Sequence, residues 1–156
     1  MASRAKTLAA AVVTAIAAWG LLPSGVTVSR VRNVTHLIKD MPEATPAIIA
    51  VIHSGMDDNS GRADVSEDIM LGIVLVANCN SSGVAASDTW DETTESLCDY
   101  LRTSGTFKNI SLGSSLVAQR RKINTTVPCD ADLLDESEIF VSVIECTWFV
   151  SVGNRS

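Results

Sequence analysis

Two histidines, His36 and His53, are the first residues to consider for catalysis, since imidazole is the usual general base near neutral pH. They are the only histidines in the chain. Neither stands at a motif spacing from a serine or cysteine nucleophile. Ser114 lacks the two glycines at the spacing of a nucleophile elbow. We therefore expect a protein that is not an enzyme, with no catalytic residue and no cofactor.

An acidic run could in principle hold calcium. Asp57, Asp58 and Asn59, followed by Gly61, are similar to the opening of a calcium-binding loop. The glycine arrives one position early, and no glutamate closes the loop. We therefore expect a polar hairpin tip here and no metal site.

The cysteines are the remaining candidates for metal or redox chemistry. They form no Cys-x-x-Cys pair and no cluster with histidine, so the usual zinc spacings are absent: Cys79, Cys98, Cys129 and Cys146. Two of them, Cys98 and Cys146, lie within apolar patterns, where a buried thiol is the common case.

The composition limits the classes of function that the chain can have. It has 156 residues, 46% of them hydrophobic and 4% aromatic, which is enough for one domain with an aliphatic core. The net charge is −6 and the sequence pI is about 4.8. An acidic chain of this kind is not expected to grip nucleic-acid phosphates over its whole surface.

The segment from Ala5 to Leu22 has two interpretations. A basic start, an apolar run and small residues are typical of a secretory signal peptide. However, the large apolar side chains share one helical face, with Leu8, Val12, Ile16 and Trp19. Small or polar side chains share the other face, with Lys6, Ala10, Thr14 and Ala17. This sidedness, and a chain that starts at Met1, favour a retained helix over about 3–20, with Ser3 as N-cap and Gly20 and Pro23 as stop signals.

The rear of this helix and the Asn-x-Ser/Thr triplets leave alternatives open. The Ala-rich rear face could be solvated, or its small side chains could allow another subunit to come close.

Five triplets favour a secreted, disulfide-bonded glycoprotein, although they arise easily in a chain rich in Ser and Thr. They begin at Asn33, Asn80, Asn109, Asn124 and Asn154.

The middle of the chain predicts a long hairpin. Val26 and Val28 alternate in a short strand, and the segment 35–46 predicts a short helix or turn. PAIIAVIHS predicts a strand, and Ile69 to Ala77 predicts a central strand covered on both faces, with Gly72 at a close approach. The polar segment 55–68 between them predicts the tip of a hairpin arm.

The second half predicts one helix and two strands. A helix is expected over about 88–103, with Asp88 as cap, Asp91 and Glu92 in its first turn, and Gly105 at its end. Its buried face carries Trp90, Thr94, Leu97 and Leu101. Strands are expected around 116–123 and over 139–152. Neighbouring strands without helices between them predict an α+β domain, a mostly antiparallel sheet packed by two main helices, with a long hairpin arm.

Charge is uneven along the second half. A basic cluster, Arg120 to Lys122, precedes an acidic one: Asp130, Asp132, Asp135, Glu136 and Glu138. Such clusters are either solvated ends of strands or opposite patches that meet across copies of the chain in a head-to-tail ring.

These segments together resemble the tail-terminator (tail-completion) proteins of long-tailed bacteriophages. The resemblance rests on an opening helix, LAAAVVTAIAAW, and a strand, PAIIAVIHSG. A polar loop with Arg62 and a second strand, EDIMLGIVLVANC, come next. A helix, TWDETTESLCDYL, and a long apolar strand, IFVSVIECTWFV, follow. It covers nearly the whole of residues 1–156 as a single domain, and the segment 104–137 matches least distinctively.

The resemblance implies a non-enzymatic subunit of a homo-oligomeric ring, a hexamer, in the tail or neck of a virion assembled in the host cytoplasm. Such a ring ends growth of the tail tube and meets tail-tube protein on one side and the head-connector or stopper protein on the other. Genome DNA would pass through it without sequence-specific binding, and no membrane is involved. Candidate subunit-interface residues are the charged ones of the hairpin and the basic cluster: Arg62, Asp64, Glu67, Arg120, Arg121 and Lys122.

Two other classes remain as hypotheses. The first is the secreted glycoprotein binding domain with an N-terminal signal peptide. The second is a small soluble enzyme or an unrelated cytosolic adaptor. The first is distinguished from a virion protein by loss of about 20 N-terminal residues or by added glycan mass.

Overall fold

The computed structural model describes residues 3–31, 47–58, 64–78, 83–113, 115–127 and 139–154. The helices are α1 (Arg4–Ala17), α2 (Gly83–Thr103) and α3 (Gly105–Lys108). The strands are β1 (Thr27–Arg30), β2 (Ala47–Asp58), β3 (Asp64–Asn78), β4 (Asn109–Gly113), β5 (Leu116–Val127) and β6 (Ile139–Asn154).

The strands form one six-stranded sheet in the order β1-β2-β3-β6-β5-β4. Only the β1–β2 pair among these is parallel, and the other four pairs are antiparallel. The α+β class with a mostly antiparallel sheet is therefore confirmed. β3 and β6 lie at the centre because both are nearly continuous apolar runs, which can be covered on two faces.

Helix α1 packs on one face of this sheet. Ser3 is its N-cap, and the Ser3 hydroxyl accepts a hydrogen bond from the Lys6 amide. The predicted apolar stripe is buried and the opposite stripe is exposed, which confirms the sidedness that the sequence predicts: Leu8, Val12, Ile16 and Trp19 are buried, and Lys6, Ala10, Thr14 and Ala17 are exposed.

Two hydrophobic clusters cover the two faces of the sheet. The larger lies between the sheet and the helices, and includes α1, the end of α2, Phe107 and the even-numbered residues of β6 from Ile144 to Val150. The smaller lies on the opposite face, around Ala50, Val74, Val76 and Val141. The prediction that β3 is covered on both faces is confirmed.

Aromatic contacts join the three helices. The Trp19 and Tyr100 rings stack with centroids 5.6 Å apart, and Tyr100 meets Phe107 edge-on at 5.1 Å. The Tyr100 hydroxyl donates to the Ala15 carbonyl at 3.3 Å, and the Trp148 indole donates to the Phe107 carbonyl at 2.9 Å. The last turn of α2 is thus tied to α1, and α3 is tied to β6.

Several predicted boundaries are wrong. The β2–β3 ladder continues to Asp58 and Glu67, so much of the supposed loop 55–68 is strand, and the β3 end of the arm also pairs with β6 of its own chain. The α2 helix starts five residues before Asp88, which is therefore inside the helix and not a cap. The prediction placed the start of α2 too late because the segment Gly83 to Ser87, which belongs to the helix, has the composition of a linker.

The glycines are the second group of corrections. Gly105, which was predicted to end α2, is instead the first residue of α3 and follows the Ser104 N-cap. α1 ends at Ala17, with Ala18 as its C-cap. Gly20, the predicted stop signal, lies in the turns that follow and does not itself end the helix. At Gly72, which is buried, no heavy atom of the described residues lies within 4 Å of the position that a Cβ would take, so the predicted close approach is not found among those residues. The five-residue strand β4 was not predicted.

Two predicted segments lie outside the described residues. They are the short helix or turn in 35–46 and the acidic segment 128–138. Residues 59–63, with Arg62 and part of the calcium-like run, also lie outside.

Candidate subunit-interface surface

A β-bulge arranges the basic cluster of β5. Arg120 pairs with Trp148 and Lys122 pairs with the adjacent Thr147, so Arg121 is the extra residue between them. Because cross-strand partners point to the same face, the bulge sends Arg120 toward the helices and Lys122 toward the opposite face. Three consecutive cations therefore do not form one continuous patch.

Arg120 is used inside the chain. Its guanidinium donates to the Leu101 carbonyl at 2.8 Å and to the Ser104 carbonyl at 3.0 Å. The Leu101 carbonyl lies in the last turn of α2, where helical acceptors lack partners within the helix, and the Ser104 carbonyl, just beyond α2, also accepts from the Phe107 amide. Arg120 is thus a side-chain cap for α2, and its charge is held at the sheet–helix junction.

Arg121 lies on the sheet face away from the helices. Its guanidinium contacts both carboxylate oxygens of Asp68, at 2.7 and 2.9 Å, and lies 5.4 Å from the centre of the Phe149 ring. The Arg121 side chain is 55% exposed. Lys122 beside it is exposed, so the outward part of the cluster is Arg121 and Lys122.

Glu67 lies on the other face of β3 from Asp68. Its side chain is nearly buried and accepts a short hydrogen bond from Arg4 at the start of α1. This hydrogen bond is the largest of the effects that raise the pKa of Arg4, and burial opposes it. Glu67 therefore fixes α1 on the sheet within one chain.

The six predicted interface residues are therefore not brought together on one surface. Glu67 and Arg120 make contacts within the chain, and Arg121 is shared between Asp68 and solvent. Arg62 lies outside the described residues, and only the backbone of Asp64 is described. Among the members whose side chains the structure describes, Lys122 is exposed and forms no contact within the described residues that would hold it.

The predicted buried thiols are confirmed. Cys98 and Cys146 are both within the main core, and burial is the largest of the effects that raise the pKa of the Cys146 thiol well above its ordinary range. Cys79 and Cys129 lie outside the described residues. Within the described ranges, no group of three His, Cys, Asp or Glu side chains could hold a metal ion.

A cleft that the sequence did not indicate lies beside the first turns of α1. It has a volume of about 370 Å³ and is bordered by the end of β1 and the middle of β2. It is lined by Ser3, Ala5, Lys6, Ala9, Arg30, Val31, Ile52 and His53. Its cationic residues are more than 20 positions apart in the chain, so no local motif could have revealed them.

Neither a family model nor a curated protein matches this chain. Among the helices that the structure describes, none is long and apolar enough to cross a membrane.

Proposed function

We propose that this chain is a virion structural protein that forms a ring at the head-proximal end of a bacteriophage tail. The ring ends growth of the tail tube and joins the tail to the head connector. The observation that carries the proposal is the order of elements: a core helix, a short strand, a long hairpin, a second helix and a long apolar strand. This is the order on which the resemblance to tail-terminator proteins rests.

The position of α1 supports this proposal against the secreted alternative. Leu8, Val12 and Ile16 are fully buried, and Arg4 is paired with Glu67. A cleaved signal peptide would remove this whole layer of the core. The thiol of Cys146, which is buried in the main core and free, agrees with assembly in a reducing host cytoplasm.

One observation favours the secreted glycoprotein. Asn109 and Asn124 begin Asn-x-Ser/Thr triplets, and both side chains are exposed. Intact mass of the chain from its native source separates the two functions. The virion proposal expects an unmodified polypeptide that retains α1, and the alternative expects glycan mass or loss of α1.

Assembly is the direct test of the ring. Native mass spectrometry and electron microscopy of the purified full-length chain are expected to show a closed ring of six copies. A chain that stays monomeric at high concentration, and also in the presence of tail tubes from its own phage, would contradict the proposal.

The basic cluster can be tested with a matched pair of charge reversals. Lys122→Glu is expected to weaken assembly, because Lys122 is the openly exposed cation of the predicted interface. Lys108→Glu makes the same change at an exposed position at the end of α3 and is expected to leave assembly intact. If the two variants assemble equally well, the basic cluster is not part of the subunit contact.

A further inference from the structure

The lining of the cleft beside α1 combines aliphatic and cationic side chains. Ala5, Ala9, Val31 and Ile52 supply aliphatic surface to its lining. Its volume of about 370 Å³ lies in the range of sites that hold small molecules, roughly 300–1,000 Å³. It is therefore large enough for an ion that carries a short carbon chain.

The lining that the structure describes holds two cationic side chains and one histidine. Lys6 comes from α1, Arg30 from the end of β1, and His53 from β2. Lys6 and Arg30 form no ion pair with any residue in the described part of the chain. His53 is oriented by its Nε2 atom, which lies 3.0 Å from the Gly55 carbonyl oxygen.

No acidic side chain among the described residues pairs with these cations. Glu67, which reaches the first turn of α1, is already paired with Arg4. The Ser3 hydroxyl accepts a hydrogen bond from the Lys6 amide, so this amide is already engaged within the helix. Two cations thus line one cleft in a chain of net charge −6.

We infer that this cleft binds a small organic anion, a carboxylate or phosphate group attached to a short aliphatic body. The Lys6 ammonium and the Arg30 guanidinium hold the oxyanion, and the aliphatic residues contact its carbon chain. Carboxylate and phosphate share this chemistry, and the two are separated by the probes below. The inference does not depend on assembly into a ring.

Methyl NMR provides the test, because two alanines of the cleft are natural probes. Full-length chain labelled at alanine methyls is titrated with butyrate and, separately, with propyl phosphate, at constant ionic strength near 0.15 M. The Ala5 and Ala9 methyl signals are expected to shift in a saturable manner. Ala118, which is buried on β5 away from the cleft, is the internal reference. The probe that binds more tightly identifies the oxyanion.

Variants of Lys6 and Arg30 decide whether these two cations hold the bound anion. Lys6→Gln and Arg30→Gln are each expected to weaken binding about tenfold, since each removes one charge-assisted contact. Both residues are exposed, so the variants are expected to fold, and circular dichroism checks this. Lys122→Gln, the same change on β5, is expected to leave affinity unchanged.

Three results would overturn the inference. The first is no saturable shift of Ala5 and Ala9 with either probe. The second is binding that Lys6→Gln and Arg30→Gln do not weaken. The third is an equal loss in Lys122→Gln, which would indicate a general effect of charge and no defined site.

Discussion

At the scale of single residues, the arginines of β5 and α2 act as connectors between strand and helix. Arg120 reaches from the sheet to carbonyls at the end of α2, and Arg102 of α2 donates back to the Ile123 carbonyl at 3.2 and 3.3 Å. The two contacts run in opposite directions across the same junction. A planar guanidinium suits this role because it donates to two acceptors at once.

Replacing Arg120 tests this role. Arg120→Met keeps most of the aliphatic stem but leaves the Leu101 carbonyl without this donor and the Ser104 carbonyl with the Phe107 amide alone. We expect the free energy of unfolding to fall by about 2 kcal/mol, the usual cost of losing hydrogen bonds to a charged group. Urea unfolding followed by circular dichroism measures it.

The control for Arg120 is its neighbour. Lys122→Met makes a similar change at an exposed residue two positions away and is expected to alter the unfolding free energy by less than about 0.5 kcal/mol. Equal effects of the two substitutions would mean that the capping contacts contribute nothing specific.

The buried thiol of Cys146 gives a second prediction at this scale. Burial raises its pKa in the folded state, so above the ordinary thiol pKa of about 8.5 the unfolded chain loses a proton that the folded chain keeps. Its contribution therefore lowers the free energy of unfolding as pH rises through that value. Below it, both states are protonated and the contribution vanishes.

The same burial protects the thiol from reagents. We expect iodoacetamide at mildly alkaline pH to leave Cys146 unmodified in the folded chain and to alkylate it fully in denaturant, because the thiolate is the reactive species. Mass mapping of the peptide that contains Cys146 gives the labelled fraction. Rapid labelling without denaturant would show that β6 opens readily at this position.

At the scale of elements, α1 carries the argument for a retained N-terminal helix. Leu8 is fully buried against the sheet, whereas Leu21, four residues beyond the end of α1, is 70% exposed. Leu8→Ala is expected to lower the free energy of unfolding by about 3 kcal/mol, through lost burial and the cavity that remains. Leu21→Ala removes the same atoms and is expected to cost less than about 0.5 kcal/mol.

Thermal or urea unfolding of the two variants measures the difference. A matched pair that differed by less than about 1 kcal/mol would mean that α1 is dispensable to the core. The structural grounds for preferring a virion protein to a secreted one would then be lost as well.

The elements that the sequence predicted are those whose local pattern and tertiary role agree. α1 shows a helical stripe that the sheet then buries, and β3 and β6 are apolar on both faces because both faces are covered. β4 was missed because it has five residues and buries one of them, which gives too little hydrophobic periodicity for a strand to be recognised. The early start of α2 was missed because Gly83 has low helix propensity, which does not prevent it from beginning the helix.

The candidate site was less predictable than the fold, for a physical reason. The sequence shows that Arg120, Arg121 and Lys122 are consecutive, but a bulge decides which of them face solvent. Asp68 and Glu67 are adjacent in sequence and lie on opposite faces of β3, so each meets a different arginine, Arg121 and Arg4. Pairings of this kind depend on sheet register, which composition does not encode.

At the scale of the whole molecule, acidic net charge and local positive charge have separate consequences. The net charge of −6 disfavours a polyanion overall, whereas the cations of the cleft act within about one screening length, roughly 8 Å at physiological salt. A ring of six such chains would be strongly acidic. An acidic lumen would suit the proposed conduit for DNA, since a basic lumen would hold the phosphates.

We therefore predict that the full-length chain does not bind double-stranded DNA at physiological salt. Binding by counterion release requires several cations that contact phosphates at once, and Arg4, Arg120 and Arg121 are already engaged within the chain. Fluorescence anisotropy of a labelled duplex is expected to stay at its free value up to about 50 µM protein at about 0.15 M salt, far above the Kd of a dedicated DNA-binding protein. Micromolar binding with a steep salt dependence would instead indicate a basic surface formed on assembly, and the function of a passive DNA conduit would have to be abandoned.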